Sequence, residues 1–275
     1  MFDAYGIHLG PFYIRFYALI LISGMLAGAY ILARRAPKFG LDSKYVWDGL
    51  TWAIIPGLIG ARIYHILTPS PASGLTTQYY LENPLQMLAI WNGGLGIYGG
   101  IVGGIIGIGL YARRTKQPLL PWLDLAAPSM AIGQAIGRWG NFVNQELYGA
   151  PTDLPWAIYI APENRLRGYE AFERFHPLFL YESLWMLSTA LILFGLAWRW
   201  RDRAQPGTIT LLYIIAYATI RFLLDFLRLD SHGIQGIPAL TTAQIVSLIA
   251  ASVALVLLIL RLRHAVASEK IVHER

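Results

Sequence analysis

The chain has 275 residues, of which 56% are hydrophobic and 14% charged, and its mean hydropathy is +0.47; that balance excludes an ordinary soluble domain. A net charge of +6 with a pI near 9.5 reads, in so apolar a chain, as cationic flanks of membrane spans rather than as a nucleic-acid surface. Cysteine is absent, which excludes disulfide frameworks, thiolate metal sites and an enzyme-borne thiol nucleophile.

No cleavable signal peptide is expected. The first thirteen residues lack a basic segment, and the first apolar stretch runs into Arg34 and Arg35 without a small-residue cleavage site. Seven apolar runs approach or reach the roughly 20 residues that cross a bilayer core. They fall near 14–33, 46–67, 93–112, 121–141, 178–198, 207–227 and 241–261. The fourth is the most interrupted, by Asp124, Gln134, Arg138 and Asn141, and is expected to be an interior helix because polar groups in a span face protein or water.

Positive charges alternate between connections. Arg34, Arg35, Lys38 and Lys44 separate spans one and two, Arg113, Arg114 and Lys116 separate three and four, and Arg199, Arg201 and Arg203 separate five and six. All four lysines fall on one side, whereas Thr68 to Trp91 has no Lys or Arg. The positive-inside rule then puts the N-terminus outside and the C-terminus in the cytoplasm. The expected fold is an all-α integral membrane protein of seven transmembrane helices, a single polytopic domain over 1–275. The long outer connection at about 143–177, mixing charges with Pro151, Pro155 and Pro162, is expected to be a small extracytoplasmic head. Glycines of span three at Gly-x-x-x-Gly spacing, such as Gly96 and Gly100, are expected to permit tight helix packing.

On this topology the intramembrane polar residues gather in the outer half of the membrane. Span four contributes Arg138 and Asn141, and span six Tyr217, Arg221, Asp225 and Arg228, the last three at i, i+4, i+7 on one helical face. Arg62 ends span two, Asn92 and Tyr98 begin span three, and Arg15 and Tyr17 begin span one. Arginines at span ends also snorkel to headgroups, and Asp225 is equally suited to neutralise an arginine or to orient a substrate. The arginines outnumber the carboxylates expected beside them, which implies an anionic ligand. Guanidinium forks suit phosphate oxygens, and at this depth the available anion is a phospholipid headgroup.

The thirteen residues Gly137 to Gly149, GRWGNFVNQELYG, closely resemble the signature of the prolipoprotein diacylglyceryl transferases. The stretch Asn92 to Gly100, the segment His176-Pro177 to Tyr181-Glu182, and Arg221 to Arg228 agree in order and spacing, and the resemblance covers about Tyr13 to Ser247. It implies a bacterial inner-membrane enzyme whose active site faces the extracytoplasmic side. Such an enzyme moves the sn-1,2-diacylglyceryl group of phosphatidylglycerol to the lipobox cysteine of a prolipoprotein, forming a thioether and releasing glycerol phosphate. By position the resemblance makes Arg138, Arg221 and Tyr98 the catalytic candidates. Tyr17, Asn141, Asn144, Glu146, Gly149, Tyr217, Asp225 and Arg228 become the candidates for substrate binding. Two departures stand out: Tyr98 replaces a histidine common in the family, and Asp225 a glutamate.

The chemistry suits the inventory. The substrate supplies the thiol, so an enzyme without cysteine loses nothing, and arginines at the phosphate stabilise charge that grows as the C–O bond breaks. No metal-ligand cluster is visible in the sequence, and neither metal nor cofactor is expected; the general base is undetermined. The rival readings are a seven-helix lipid-binding transporter or receptor and an intramembrane peptidase. The first should carry polar groups through the midplane, and a retinal protein a lysine in span seven, which Thr241 to Leu260 lacks. The second needs paired aspartates, whereas Asp124 and Asp225 are expected at opposite ends of the membrane.

Overall fold

The computed structural model describes residues 5–9, 12–69, 75–90, 93–201, 204–230, 233–234 and 237–273. Asn92, Trp91 and Arg203 of the sequence reading lie outside them. In chain order the elements are a hairpin of β1 (Gly6–Leu9) and β2 (Phe12–Arg15), then α1 (Phe16–Arg35), α2 (Lys44–Leu67), α3 (Thr77–Glu82), α4 (Pro84–Leu88), α5 (Ile97–Thr115) and α6 (Leu119–Asn144). A second hairpin, β3 (Ile158–Tyr159) with β4 (Arg174–Phe175), precedes α7 (Leu178–Arg199) and α8 (Thr208–Asp225). A third, β5 (Gly233–Ile234) with β6 (Ile237–Thr241), leads into α9 (Thr242–His273).

Among the described residues five segments are long and apolar enough to cross a membrane: Phe16–Phe39, Lys44–Leu67, Leu178–Arg199, Thr208–Asp225 and Thr242–Arg263. The other two expected spans are long helices too, α5 and α6. Glycines together with the terminal Arg113 and Arg114 dilute the first, and Asp124, Pro128, Gln134 and Arg138 the second, which keeps both below the apolar level of the five. Large apolar side chains stand outward along the helices, among them Ile22 and Leu26 on α1 and Val256 and Ile259 on α9. That is the surface expected of helices solvated by lipid.

The chain divides into two compact units, residues 33–119 and residues 1–32 with 120–275. In the first, α2 packs along α5 through the glycines expected to do so: a Cβ on Gly57 would lie 3.3 Å from the Gly100 carbonyl oxygen. Arg62 is buried and donates to the carbonyls of Gln86, Met87, Gly93 and Gly94 at 2.5–2.9 Å. It thereby satisfies the backbone that precedes α5.

In the second unit α6, α7 and α8 meet in a core of Ala131, Ala135, Leu178, Met186, Ala190, Ile220 and Leu224. The register of α6 against α8 is set at one end by Asp124. Its carboxylate accepts from Gly207 N–H (2.6 Å), Thr210 N–H (2.8 Å) and Thr210 Oγ1 (2.7 Å), a cap for the orphan donors of α8 supplied by a neighbouring helix. Farther along both helices Tyr213 Oη donates to Gln134 Oε1 (2.9 Å), so α6 and α8 run in the same direction. The helix α7 is pinned between them: Ser183 Oγ donates to Ala135 O at 2.8 Å and Trp185 Nε1 to Ala216 O at 2.9 Å. Along α1, Gly24 faces Gly133 of α6 so closely that a Cβ on Gly24 would sit 2.6 Å from the Gly133 carbonyl oxygen. At the start of α9, Thr241 Oγ1 accepts from Gln244 N–H while Gln244 Oε1 accepts from Thr241 N–H, a reciprocal capping box.

The connection between α6 and α7 has its own small core of Tyr148, Ile160 and Phe175. It is laced to the helix ends by backbone bonds, Gly149 N–H to His176 O (2.9 Å) and Ala150 N–H to Leu227 O (2.8 Å).

Candidate active site

From the Asp124 cap, α6 and α8 carry Arg138 and Arg221 to their other ends. There both line one cavity, together with Asn141, Leu147, Leu178, Phe179, Glu182, Leu224 and Arg228. The signature peptide builds one wall by leaving α6 abruptly. Gln145 (φ 51°) and Leu147 (φ 54°) both take the left-handed conformation, which non-glycine residues adopt only when their surroundings hold them. For Gln145 the hold is visible: its Oε1 accepts from Ala161 N–H (2.7 Å) and Asn164 Nδ2 (3.3 Å).

Each of the three arginines has a carboxylate. Arg138 Nη2 pairs with Glu182 Oε1. Arg221 Nη1 pairs with Asp225 Oδ1 at 2.7 Å. Arg228 forks Asp230, Nε to Oδ1 at 2.8 Å and Nη2 to Oδ2 at 2.5 Å. The expectation of arginines in excess of their carboxylates is therefore corrected: Glu182 comes from α7 and Asp230 from beyond α8, neither of which helix periodicity places beside them. A second correction concerns Arg228. The helix α8 ends at Asp225, so Arg228 does not continue the i, i+4 face. It reaches the cavity from a turn, its backbone bridged to Gly149.

A family model described as prolipoprotein diacylglyceryl transferase matches residues 4–260. The phosphatidylglycerol–prolipoprotein diacylglyceryl transferase of Gloeobacter violaceus is 40% identical over 243 residues, covering 88% of this chain and 86% of its own length. The chain belongs to the prolipoprotein diacylglyceryl transferase family. Relatives of the same name from Synechococcus elongatus (39% over 247 residues, 89% of this chain and 82% of that protein) and Paenarthrobacter aurescens (38% over 276 residues, 96% and 83%) are similar over comparable lengths.

The remaining residues expected at the site fall into three groups. Asn141 is buried and links two charged residues: Arg138 Nη1 donates to its Oδ1 at 3.4 Å, and its Nδ2 donates to Glu146 Oε1 at 2.9 Å. Tyr17 lies on the same side of the site, its ring against Gly140, where a Cβ would come within 2.8 Å of Cδ2. Asp225 is fully buried and also accepts from Thr241 Oγ1, so it ties α8 to α9 as well as holding Arg221.

A second group supports the site from behind. Tyr217 stacks on Tyr213 (ring centroids 6.4 Å apart, planes 15° apart) and packs on the shared core. Gly149 has no room for a side chain, since a Cβ would meet His176 Cβ and Leu178 Cδ2, each at 2.9 Å. Asn144 closes α6. The third group is Tyr98 alone. It stands exposed in the first turn of α5, its ring 5.8 Å from that of Tyr64, in the other compact unit.

His176 is hydrogen-bonded through Nδ1 to Tyr181 Oη (3.0 Å), which in turn accepts from Trp156 Nε1 (2.8 Å). Beyond the end of α8, burial works against ionisation of Asp230, but the hydrogen bonds and charge of Arg228 outweigh it and hold the carboxyl below its ordinary 3.8.

Proposed function

We infer that the chain is a phosphatidylglycerol–prolipoprotein diacylglyceryl transferase: it moves a diacylglyceryl group from phosphatidylglycerol to a prolipoprotein. The acceptor in this reading is the lipobox cysteine thiol, which attacks the glyceryl carbon bearing the phosphate ester. A thioether forms and glycerol phosphate leaves. The observation that carries the assignment of roles is the arrival of Arg138 and Arg221, from two parallel helices, at one cavity.

In this reading the two guanidiniums grip the headgroup phosphate. Their present carboxylate partners keep them extended and in place before lipid arrives. Both guanidiniums already hold a carboxylate, so the phosphate competes with a carboxylate rather than adding to an empty fork. Each guanidinium has five N–H donors, which lets it share a phosphate oxygen before it releases its partner. As the C–O bond lengthens, charge grows on the phosphate, and donors fixed in a site of low dielectric favour that state over the ground state. Asn141, Glu146, Arg228 and Tyr17 order the glycerol and the incoming peptide around this clamp.

In this reading the chain is a seven-span inner-membrane protein with its N-terminus and the 143–177 head outside and the cavity opening to the extracytoplasmic leaflet; five helices long and apolar enough to span among the described residues support the membrane part of it. A transporter or receptor is disfavoured by the family. Incubation of the purified protein with phosphatidylglycerol and a lipobox peptide is expected to add the mass of one diacylglyceryl group. Peptide cleavage, or binding without a mass shift, would refute the reading.

A further inference from the structure

A thiol that attacks carbon must lose a proton, and the clamp does not supply an acceptor. Among the residues lining the cavity, arginine stays protonated in proteins, the Asn141 amide is no base, and Leu147, Leu178, Phe179 and Leu224 are hydrocarbon. Asp225 lies behind Arg221 with a fully covered side chain, held also by Thr241, and Glu146 is engaged by Asn141; neither lines the cavity. Glu182 does. It is nine-tenths covered, projects from the first turns of α7, and faces Arg138 from α6. Tyr213 and Arg221 confront it from α8, with Asp225 behind the latter, and Arg228 from the turn after α8.

We propose that Glu182 is the general base of the transfer. The inference rests on the phosphate clamp, because it is the phosphate that draws Arg138 away and turns a Glu182 oxygen toward the cavity. The precursor S–H bond then breaks, its proton passing to that oxygen. The sulfur electron pair forms the C–S bond to the glyceryl carbon, and the C–O electron pair leaves with the phosphate. The proton on Glu182 passes to the departing phosphomonoester, which restores the carboxylate. One group thus serves twice: it holds Arg138 in the empty enzyme and accepts the proton in the loaded one.

The test uses Glu182→Gln, which is isosteric and leaves Arg138 an acceptor, in the full-length protein in phosphatidylglycerol bilayers. Turnover of a lipobox peptide at pH 7 is expected to fall about 10²–10⁴-fold. The residual rate should climb about tenfold per pH unit toward the thiol's ordinary pKa of about 8.5, because only ionised thiol then reacts, while the wild-type rate stays nearly flat. Glu182→Asp should recover part of the loss. A deficit equal at every pH would mean that Glu182 merely positions Arg138, and near-normal turnover would remove it from the reaction; either result overturns the proposal and leaves the clamp standing. Undiminished lipid affinity in Arg138→Gln, measured separately, would sink the clamp and the base with it.

Discussion

Replacing Asp124 tests how the scaffold delivers two arginines to one place. Asp124→Ala deletes an acceptor for three donors, two of them backbone N–H groups at the start of α8. Loss of a helix cap costs about 0.5–2 kcal/mol, and a buried donor left unsatisfied costs about 1–3 kcal/mol. Gly207 is buried, whereas Thr210 is partly exposed and recovers some hydration, so the total expected is about 2–4 kcal/mol. For a chain of this size that corresponds to a Tm lowered by about 4–16 °C. The change also loosens register: a slip of one residue turns a helix by about 100° and moves it about 1.5 Å, enough to take Arg221 off the cavity. Thermal unfolding in detergent micelles, with turnover measured on the folded fraction, reads both effects. Asp124→Asn, which keeps one carbonyl acceptor, should fall between the two. An Asp124→Ala protein that melts with the wild type and turns over normally would refute the idea that this cap sets the α6–α8 register.

Other expectations follow from single contacts. Gly140→Ala forces the Tyr17 ring to move, since the new Cβ would sit 2.8 Å from Cδ2; turnover should drop, and the stability loss should largely vanish in a Tyr17→Ala background, as a thermal double-mutant cycle would show. The Asp230 carboxyl is held below 3.8 despite its burial, by Arg228. Its contribution to stability is therefore complete above the ordinary carboxylate range and is lost as pH falls through its depressed value. The Tm difference between wild type and Asp230→Asn should be constant from pH 7 to about pH 5 and shrink in more acid solution; a difference that grows on acidification would contradict the pairing. Thr241→Val breaks the box that starts α9 and removes a hydrogen bond to Asp225. It should destabilise the protein by about 1–2 kcal/mol in chemical unfolding and raise the KM for lipid by loosening Arg221.

Much of this arrangement was legible in the residues. The direction of α6 relative to α8, the meeting of Arg138 with Arg221, and the separation of Asp124 from Asp225 along α8 all follow from where charged residues interrupt apolar runs. The tight contact between α2 and α5 was equally readable from glycine spacing, because a missing Cβ acts locally. The carboxylate partners were not legible. Glu182 is one polar residue near the start of an apolar helix, and only the packing of α7 between α6 and α8 brings it to Arg138. Asp230 follows a helix end, and periodicity carries no information past Asp225. The role of Arg62 was misleading for a related reason: its depth matched that of the other arginines, but its fork is occupied by four backbone carbonyls.

The central claim is that the guanidiniums of Arg138 and Arg221 together hold a lipid phosphate. An experimental structure of the full-length protein in phosphatidylglycerol nanodiscs, without peptide, tests it most directly. The account predicts phosphate oxygens about 3 Å from both guanidiniums, with Arg138 or Arg221 drawn off its carboxylate. Phosphate bound elsewhere, with the Arg138–Glu182 and Arg221–Asp225 pairs intact beside it, would contradict the account.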